Sequence, residues 1–483
     1  MVFESTKAMT DALKPVATVM TDRVSVSRIQ DLPGDTIDRL AHTAVFGSGP
    51  EIRGDARWII RSLASAAGIH PASIHDLYMA IGRGEAGGFT VPAINVRATA
   101  YLTGRAVFRA ATRLNVGALI LEIARSEIGY TEQRPHEYSA VMTAAALREG
   151  FRGPLCIQGD HVQTNAKKFN SPDRDKEVEA VRSLIKEELA AGFYNIDIDT
   201  STLVDLSKPT LEEQQRVNFE LAAELTEFIR RHAPAGVTVS VGGEIGEVGG
   251  KNSDVHELHA FMTGYNTSLT KRAASLVGIS KISVQTGTAH GGFVMPDGTV
   301  RTDVKIDLDT LAELSRLART DYHLAGAVQH GASTLPPEAF DAFPRVGACE
   351  IHLATDFQNM LYENPAFPGS LRDEMYAWLR EHAADERKEK DTEGQFIYKT
   401  RKKALGPFKR QLWNLPPDAA RAIGQVLEDR FAFLLQKLRV NDTAGVMGRF
   451  VKPPQPAFDR EAEIVASGGK ITASERKAEG LAD

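Results

Sequence analysis

PLCIQGD, Pro154 to Asp160, and FYNIDID, Phe193 to Asp199, are apolar and β-branched runs of strand length; between them, apolar side chains recur at helical spacing from Asp175 to Ala191. A strand, a long helix and a second strand in that order form a βαβ unit, whose strands lie parallel. Working outward, the alternation recurs. Upstream stand GFTVPAINV from Gly88 and VGALILEIA from Val116; downstream stand VTVSVGGE from Val237, KISVQTG from Lys281, HLAGAVQH from His323 and ACEIHLATD from Ala348. Helix-like segments separate these runs. One of them, Leu211 to Arg231, follows Thr210, a residue suited to an N-cap, and carries early acids that favour a helix N-terminus. Eight such cycles over residues 86–360 match the length of one (β/α)8 barrel, an α/β TIM-barrel fold, with a doubly wound open sheet as the alternative.

Residues 1–85 hold amphipathic stretches such as ARWIIRSLASAAG from Ala56 and read as a helical N-terminal extension. Residues 361–440 include the charge-dense EHAADERKEKDTEGQFIYKTRKKALGPFKR and pass into helices through Gln436, a C-terminal helical extension. Its basic run, Lys399 to Arg410, reads as a solvated helix face, against the alternative that it reaches a bound phosphate group. Residues 441–483, with PPQP and SGGK, are polar and expected to be loosely ordered.

The 483 residues are 42% hydrophobic and 25% charged, a composition that supplies one large core and argues against disorder throughout. A net charge of −6, with no long basic stretch, lacks the electrostatic footprint of a nucleic-acid binder. Cys156 and Cys349 sit in apolar strand-like runs and read as small buried hydrophobes, not as a disulfide, which fits a reducing cytoplasm. No apolar stretch has signal-peptide or membrane-spanning length, so the expected location is cytoplasmic, with neither nucleic acid nor membrane as partner.

In a (β/α)8 barrel, functional groups collect at the C-terminal ends of the strands. Strand three ends in Gly159-Asp160-His161, strand four in Asp197-Ile198-Asp199 and strand five in Glu244. Strand six is followed by His290, strand seven ends in His330, and strand eight carries His352 and Asp356. Imidazoles from His161, His290 and His330 converging on one point make a three-histidine site with an open position, the arrangement of a catalytic zinc. Glycine-rich turns at Gly242-Gly243, Gly291-Gly292 and Gly331, the last beside Ser333, suit an anion cradle of backbone N–H groups, against the alternative of ordinary turn chemistry.

VPAINV, QGDHVQ, NIDIDTS, GEIGEVGG, TGTAHG, QHGAS and LATD, in this order, resemble the motifs of the class II fructose-bisphosphate and tagatose-bisphosphate aldolase family, over roughly Ile74 to Phe357. The resemblance implies a zinc-dependent carbon–carbon lyase that cleaves a ketose phosphate or bisphosphate into a dihydroxyacetone-type fragment and an aldehyde. It implies His161, His290 and His330 as zinc ligands and Asp160 as the acid that moves the hydroxyl proton next to the cleaved bond. Asp199 and Glu244 match carboxylates that support the metal or bind it in an alternative site. Gly291, Gly331 and Ser333 match phosphate-binding turns, Thr355 with Asp356 the last phosphate loop, and Asn95 a structural or substrate-edge position. The implied cofactor is Zn2+, with another divalent ion and an added monovalent cation left open. The implied partner is a small sugar or sugar phosphate, and the implied assembly a homodimer or homotetramer.

The chain departs from the family pattern at several positions. Gln158 replaces a histidine two residues before the catalytic aspartate, Lys251-Asn252-Ser253 replaces a loop acid, and His352 replaces an asparagine on strand eight. His352 is thereby assigned either acid–base work or a hydrogen bond to substrate. The stretch GGFVMPDG after His290 lacks the usual lysine, and Ala332 and Thr334 stand where glycines are common. These departures leave metal binding in place and open two further readings: a related retro-aldol enzyme, epimerase or aldolase, acting on an unphosphorylated or acid sugar, and a non-catalytic barrel subunit. Asp160 argues against the subunit, since a scaffold has no physical need of a general base beside a metal.

Overall fold

Short apolar runs alternating with amphipathic helices cannot bury both surfaces unless the strands gather inside a shell of helices. The computed structural model, which describes residues 2–246, 251–288, 292, 294–299 and 306–468, has this arrangement. The barrel strands are β1 (Val91–Asn95), β2 (Ile120–Ala124), β3 (Gly153–Gln163), β4 (Asn195–Asp199), β5 (Ser240–Glu244), β6 (Lys281–Val284), β7 (Ala327–Gln329) and β8 (Glu350–Leu353). Each runs parallel to its neighbours, β8 pairs with β1, and the ring is closed, so the fold is the (β/α)8 barrel expected, with helical extensions. Seven of the eight expected runs contain the observed strand, and the third, Pro154 to Asp160, lies inside the longer β3. The expected helix after β4 spans Leu211–His232, with the Thr210 hydroxyl accepting from the Glu213 N–H at 3.2 Å.

The N-terminal extension adds a strand that periodicity did not reveal. Ile69–Ala72 pairs in parallel with the lower half of β3, while the upper half of β3 pairs with β4. Asn195 fixes this floor: its amide donates to the carbonyls of Ala72 and Ile157, and its oxygen accepts from the Ile74 N–H. The helix His75–Gly82 then points Tyr78 up into the barrel.

At the other end, Pro417–Lys437 packs along Ala100–Arg113, where Arg109 meets Glu428 at 2.6 Å. The stretch expected to be loosely ordered contains two helices, Ala444–Phe450 and Arg460–Ser467. The second docks on Pro50–Ala66: Arg460 binds Asp55 at 2.6 Å, Glu463 binds Arg61 at 2.8 Å, and a Cβ on Gly54 would come within 2.5 Å of the Ile464 backbone. Its order comes from ion pairs with a helix four hundred residues earlier, a signal that local composition does not carry. Residues 469–483 lie outside the described residues.

Both cysteines are buried and free. Among the described residues, no helix is long and apolar enough to cross a membrane.

Candidate metal centre

In a regular strand, adjacent side chains point to opposite faces, so Asp160 and His161 should not both enter the barrel. They do because β3 is bulged: its register against β4 shifts between Gly159 and Val162, and His161 adopts a left-handed backbone with φ of 38°. Such a bulge re-aims a side chain at a modest conformational cost. Gly159 keeps the outer side of the bend clear, since a Cβ there would lie 2.6 Å from the Glu188 carboxylate.

His161 Nδ1 lies 3.0 Å from Asp199, and its Nε2 lies 2.9 Å from His330 Nδ1. With Asp199 accepting from Nδ1–H, Nε2 becomes the lone-pair nitrogen, a pairing that commonly orients metal-binding histidines. Asp160 stands 3.9 Å and Glu244 3.7 Å from the same imidazole, and Ser283 Oγ is 3.2 Å from His330 Nε2. Asp160, His161 and His330 are all buried, with donor atoms within 4.8 Å of one another. Two imidazoles and a carboxylate suit zinc, and ligand nitrogens of a tetrahedral zinc lie roughly 3.3 Å apart, so a small opening of the 2.9 Å pair admits the ion. His290 and Gly291 lie outside the described residues.

The electrostatics favour positive charge here. Burial opposes the charged form of His161, but Asp160, Asp199 and Glu244 together hold its pKa well above the ordinary value. Glu244 is pushed well above the carboxylate range by burial and by Asp199, whereas Asp199 stays below it despite burial because His161, Ser201 and Gln163 donate to it.

Below this layer the barrel is filled with charge in place of the usual branched apolar side chains. Lys281 Nζ lies 2.8 Å from Asp197, 2.5 Å from Glu350 and 2.8 Å from the Gln158 oxygen, and the Gln158 amide donates to Glu122 and Glu350. Tyr78 donates to Glu350 from the floor. His352 links the layers: Nε2 is 2.7 Å from Glu350, Nδ1 is 3.2 Å from both Glu122 and Asp160, and the ring stacks on His330 with centroids 4.1 Å apart. Burial and Asp160 raise Glu122 to about 8, while Lys281 and His352 overcome burial to bring Glu350 down to about 2. Gly242 makes room, since a Cβ there would overlap the Asp197 carboxylate and come within 2.9 Å of the Lys281 side chain. Sequence reasoning missed Glu122, Lys281 and Glu350. The signal was present as charged residues at inward positions of otherwise apolar strands, in ILEIA, KISV and CEIHL.

A family model for class-II fructose-bisphosphate aldolase matches residues 77–404. The chain belongs to that family. Among solved structures, a fructuronate-tagaturonate epimerase from Cohnella laeviribosi is similar with a TM-score of 0.57 and 11% identity, over 89% of this chain and 90% of that one. A Sinorhizobium meliloti protein described as a tagatose 6-phosphate kinase gives a TM-score of 0.50 and 18% identity, over 78% and 97%. The fructose-bisphosphate aldolase of Campylobacter jejuni gives 0.43 and 16%, over 75% and 93%. At 11% and 18% identity, the first two likenesses are of fold alone.

Of the residues that the aldolase resemblance assigned to phosphate, Ser333, Thr355 and Asp356 are engaged within the protein. The Ser333 hydroxyl accepts from the Ala354 N–H at 2.7 Å, the Thr355 hydroxyl accepts from Arg97 at 3.0 Å, and Asp356 pairs with Arg430 at 2.7 Å. Gly331, with φ of 65°, turns the chain directly after His330. The Asn95 amide donates to Glu127 at 2.6 Å, and Glu127 also binds the buried Arg97 at 2.8 Å. Asn252 is exposed and donates to Asp307. The basic run is not a solvated face: Arg401 is buried, 4.4 Å from the Tyr398 ring centroid and bonded to Glu363, and Lys402 is pulled down to about 8 by burial and by Arg97. Helical spacing alone does not show which aromatic residues will enclose a guanidinium.

Proposed function

We propose that this member of the class II aldolase family is a zinc-dependent lyase that cleaves the carbon–carbon bond beside the carbonyl of a ketose phosphate or bisphosphate, releasing a dihydroxyacetone-type fragment and an aldehyde. The observation that carries the reading is the β3 bulge, which turns Asp160 and His161 together toward His330. His161, His330 and, by the family pattern, His290 would hold the ion, which supplies positive charge against the oxygens of the carbonyl and its neighbouring hydroxyl. Asp160 takes the proton from the hydroxyl beyond the cleaved bond, a task for a carboxylate within hydrogen-bond reach. His352, 3.2 Å from Asp160 and braced by Glu350, holds that carboxylate and returns the proton to it in the condensation direction. Asp199 orients His161, and Glu244 stands behind it.

A second reading has support in the engaged Ser333 and Thr355. With those hydroxyls already bonded and Arg97 paired with Glu127, few groups remain to hold a phosphate, which favours a substrate without one. The same retro-aldol step followed by recombination on the opposite face epimerises a ketose acid, and the fold is shared with a protein named for such an epimerisation.

Purified protein, its zinc measured by elemental analysis, is to be assayed for aldehyde release from ketose mono- and bisphosphates, and for epimer formation from ketose acids by NMR. Aldehyde release that stops on chelation and returns with zinc is the expected result. Epimer formation alone selects the second reading. Stoichiometric zinc with neither product overturns both.

A further inference from the structure

A cavity of about 500 Å3 lies between helices Gly34–Phe46 and Pro50–Ala66, the turn around Arg134 and the C-terminal segment 406–410. It shares no residue with the metal centre. Five cations line it, Arg53, Arg57, Arg134, Lys409 and Arg410, against two carboxylates, Glu132 and Glu137, and Arg134 is also paired with Glu187 outside the lining. Glu137 serves both Arg57, at 3.4 Å, and Lys409. Arg53 spends its guanidinium on the carbonyls of Gly47 and Ser467, at 2.9 and 2.7 Å, which satisfy hydrogen bonds and leave the charge unanswered. Arg410 is exposed, sits 4.6 Å over the Phe46 ring, and has no carboxylate partner among the described residues.

Arg53 and Arg57 stand one helical turn apart on one helix, a spacing at which like charges repel. Arg57 is almost fully buried, and burial, Arg53 and Arg61 hold its pKa below the ordinary value against the support of Glu137 and Glu463. Guanidinium groups gathered in a low-dielectric hollow are costly unless anions complete them. Val45, Phe46 and Pro407 supply an apolar wall of the same hollow, and its volume falls in the range of small-molecule sites.

We propose that this cavity is a binding site for a small organic polyanion, a molecule with at least two phosphoryl or carboxylate groups on a short carbon skeleton. Arg53, Arg57 and Arg410 provide the charge, and the Phe46 side accepts the carbon skeleton. The site is independent of the proposed catalytic reading.

The test is calorimetric titration of the full chain with pyrophosphate and with citrate. Binding is expected with a Kd between about 10 μM and 1 mM, weakening as salt rises. Tighter pyrophosphate identifies the phosphoryl class, and tighter citrate the carboxylate class. The Arg53→Ala/Arg410→Ala double variant should bind about 10-fold more weakly, whereas Arg272→Ala, in a separate basic groove beside Lys271, should bind as the parent does. Should the double variant melt early without ligand, Arg410→Gln alone, at an exposed position, should still weaken binding about 3-fold. No heat from either probe at about 10 mM, or unchanged affinity in a folded double variant or in Arg410→Gln, overturns the proposal.

Discussion

Two layers of one barrel handle buried carboxylates in opposite ways. In the upper layer, Asp199 and Glu244 face the imidazole of His161, and neither forms an ion pair with a lysine or arginine among the described residues. In the lower layer, Asp197 and Glu350 share the ammonium of Lys281, and Glu122 meets His352. Below, the chain brings its own cation. Above, no lysine or arginine plays that part among the described residues, and the buried Asp160, His161 and His330 are a group that could hold a metal ion. A buried acidic cluster therefore reads as a metal site only after its internal cations have been counted.

The largest test of this contrast is to break the upper layer. His161→Ala should lose the bound zinc and reduce turnover about 10^3-fold or more, with zinc content read by elemental analysis and turnover by aldehyde release. Retention of zinc and activity would show that the upper layer does not need its ion.

Breaking the lower layer should cost stability. Lys281→Met strands two buried carboxylates and should destabilise the fold by about 4 kcal/mol in denaturant unfolding. Adding Glu350→Gln should restore roughly half of that. If Lys281→Met unfolds at the parent's midpoint, the internal-cation account fails.

A third solution to the same problem lies outside the barrel. Burial raises the Glu188 carboxyl to about 8, against 4.5 for a free one, with Arg134 and Arg125 pulling weakly the other way. The folded protein keeps this proton while the unfolded chain sheds it, so stability is intact below pH 4.5 and declines as pH climbs toward 8. Glu188→Gln should gain about 3 kcal/mol at pH 8 and nothing at pH 4; equal gains at both would contradict it. The smallest expected effect is at Gly242, where Ala meets Asp197 and Lys281 and should cost about 2 kcal/mol, measured against Gly243→Ala, whose Cβ meets only apolar neighbours at 3.2 Å or more.

Much of the scaffold was legible because its signals are local. β-branched runs, helical spacing and the Thr210 cap act within a few residues, and each recurs where expected. The extra strand at Ile69–Ala72 was not legible, because four residues without alternation become a strand only when β3 offers an edge. The docked helix Arg460–Ser467 was hidden for the same reason: its partners, Asp55 and Arg61, are remote in the chain, as is Trp58, which donates to the Phe458 carbonyl just before it.

By itself, the sequence determined that eight short strands would alternate with helices as parallel βαβ units and that acids and histidines would fall at or just after the ends of those runs, since periodicity and order are properties of the chain. Only the tertiary structure decided that Asp160 and His161 face the same way, that Lys281 serves the carboxylates of two other strands, and that Ser333 and Thr355 are bonded inside the protein. Those outcomes depend on a register shift and on distances between residues far apart in the chain, which no local pattern encodes.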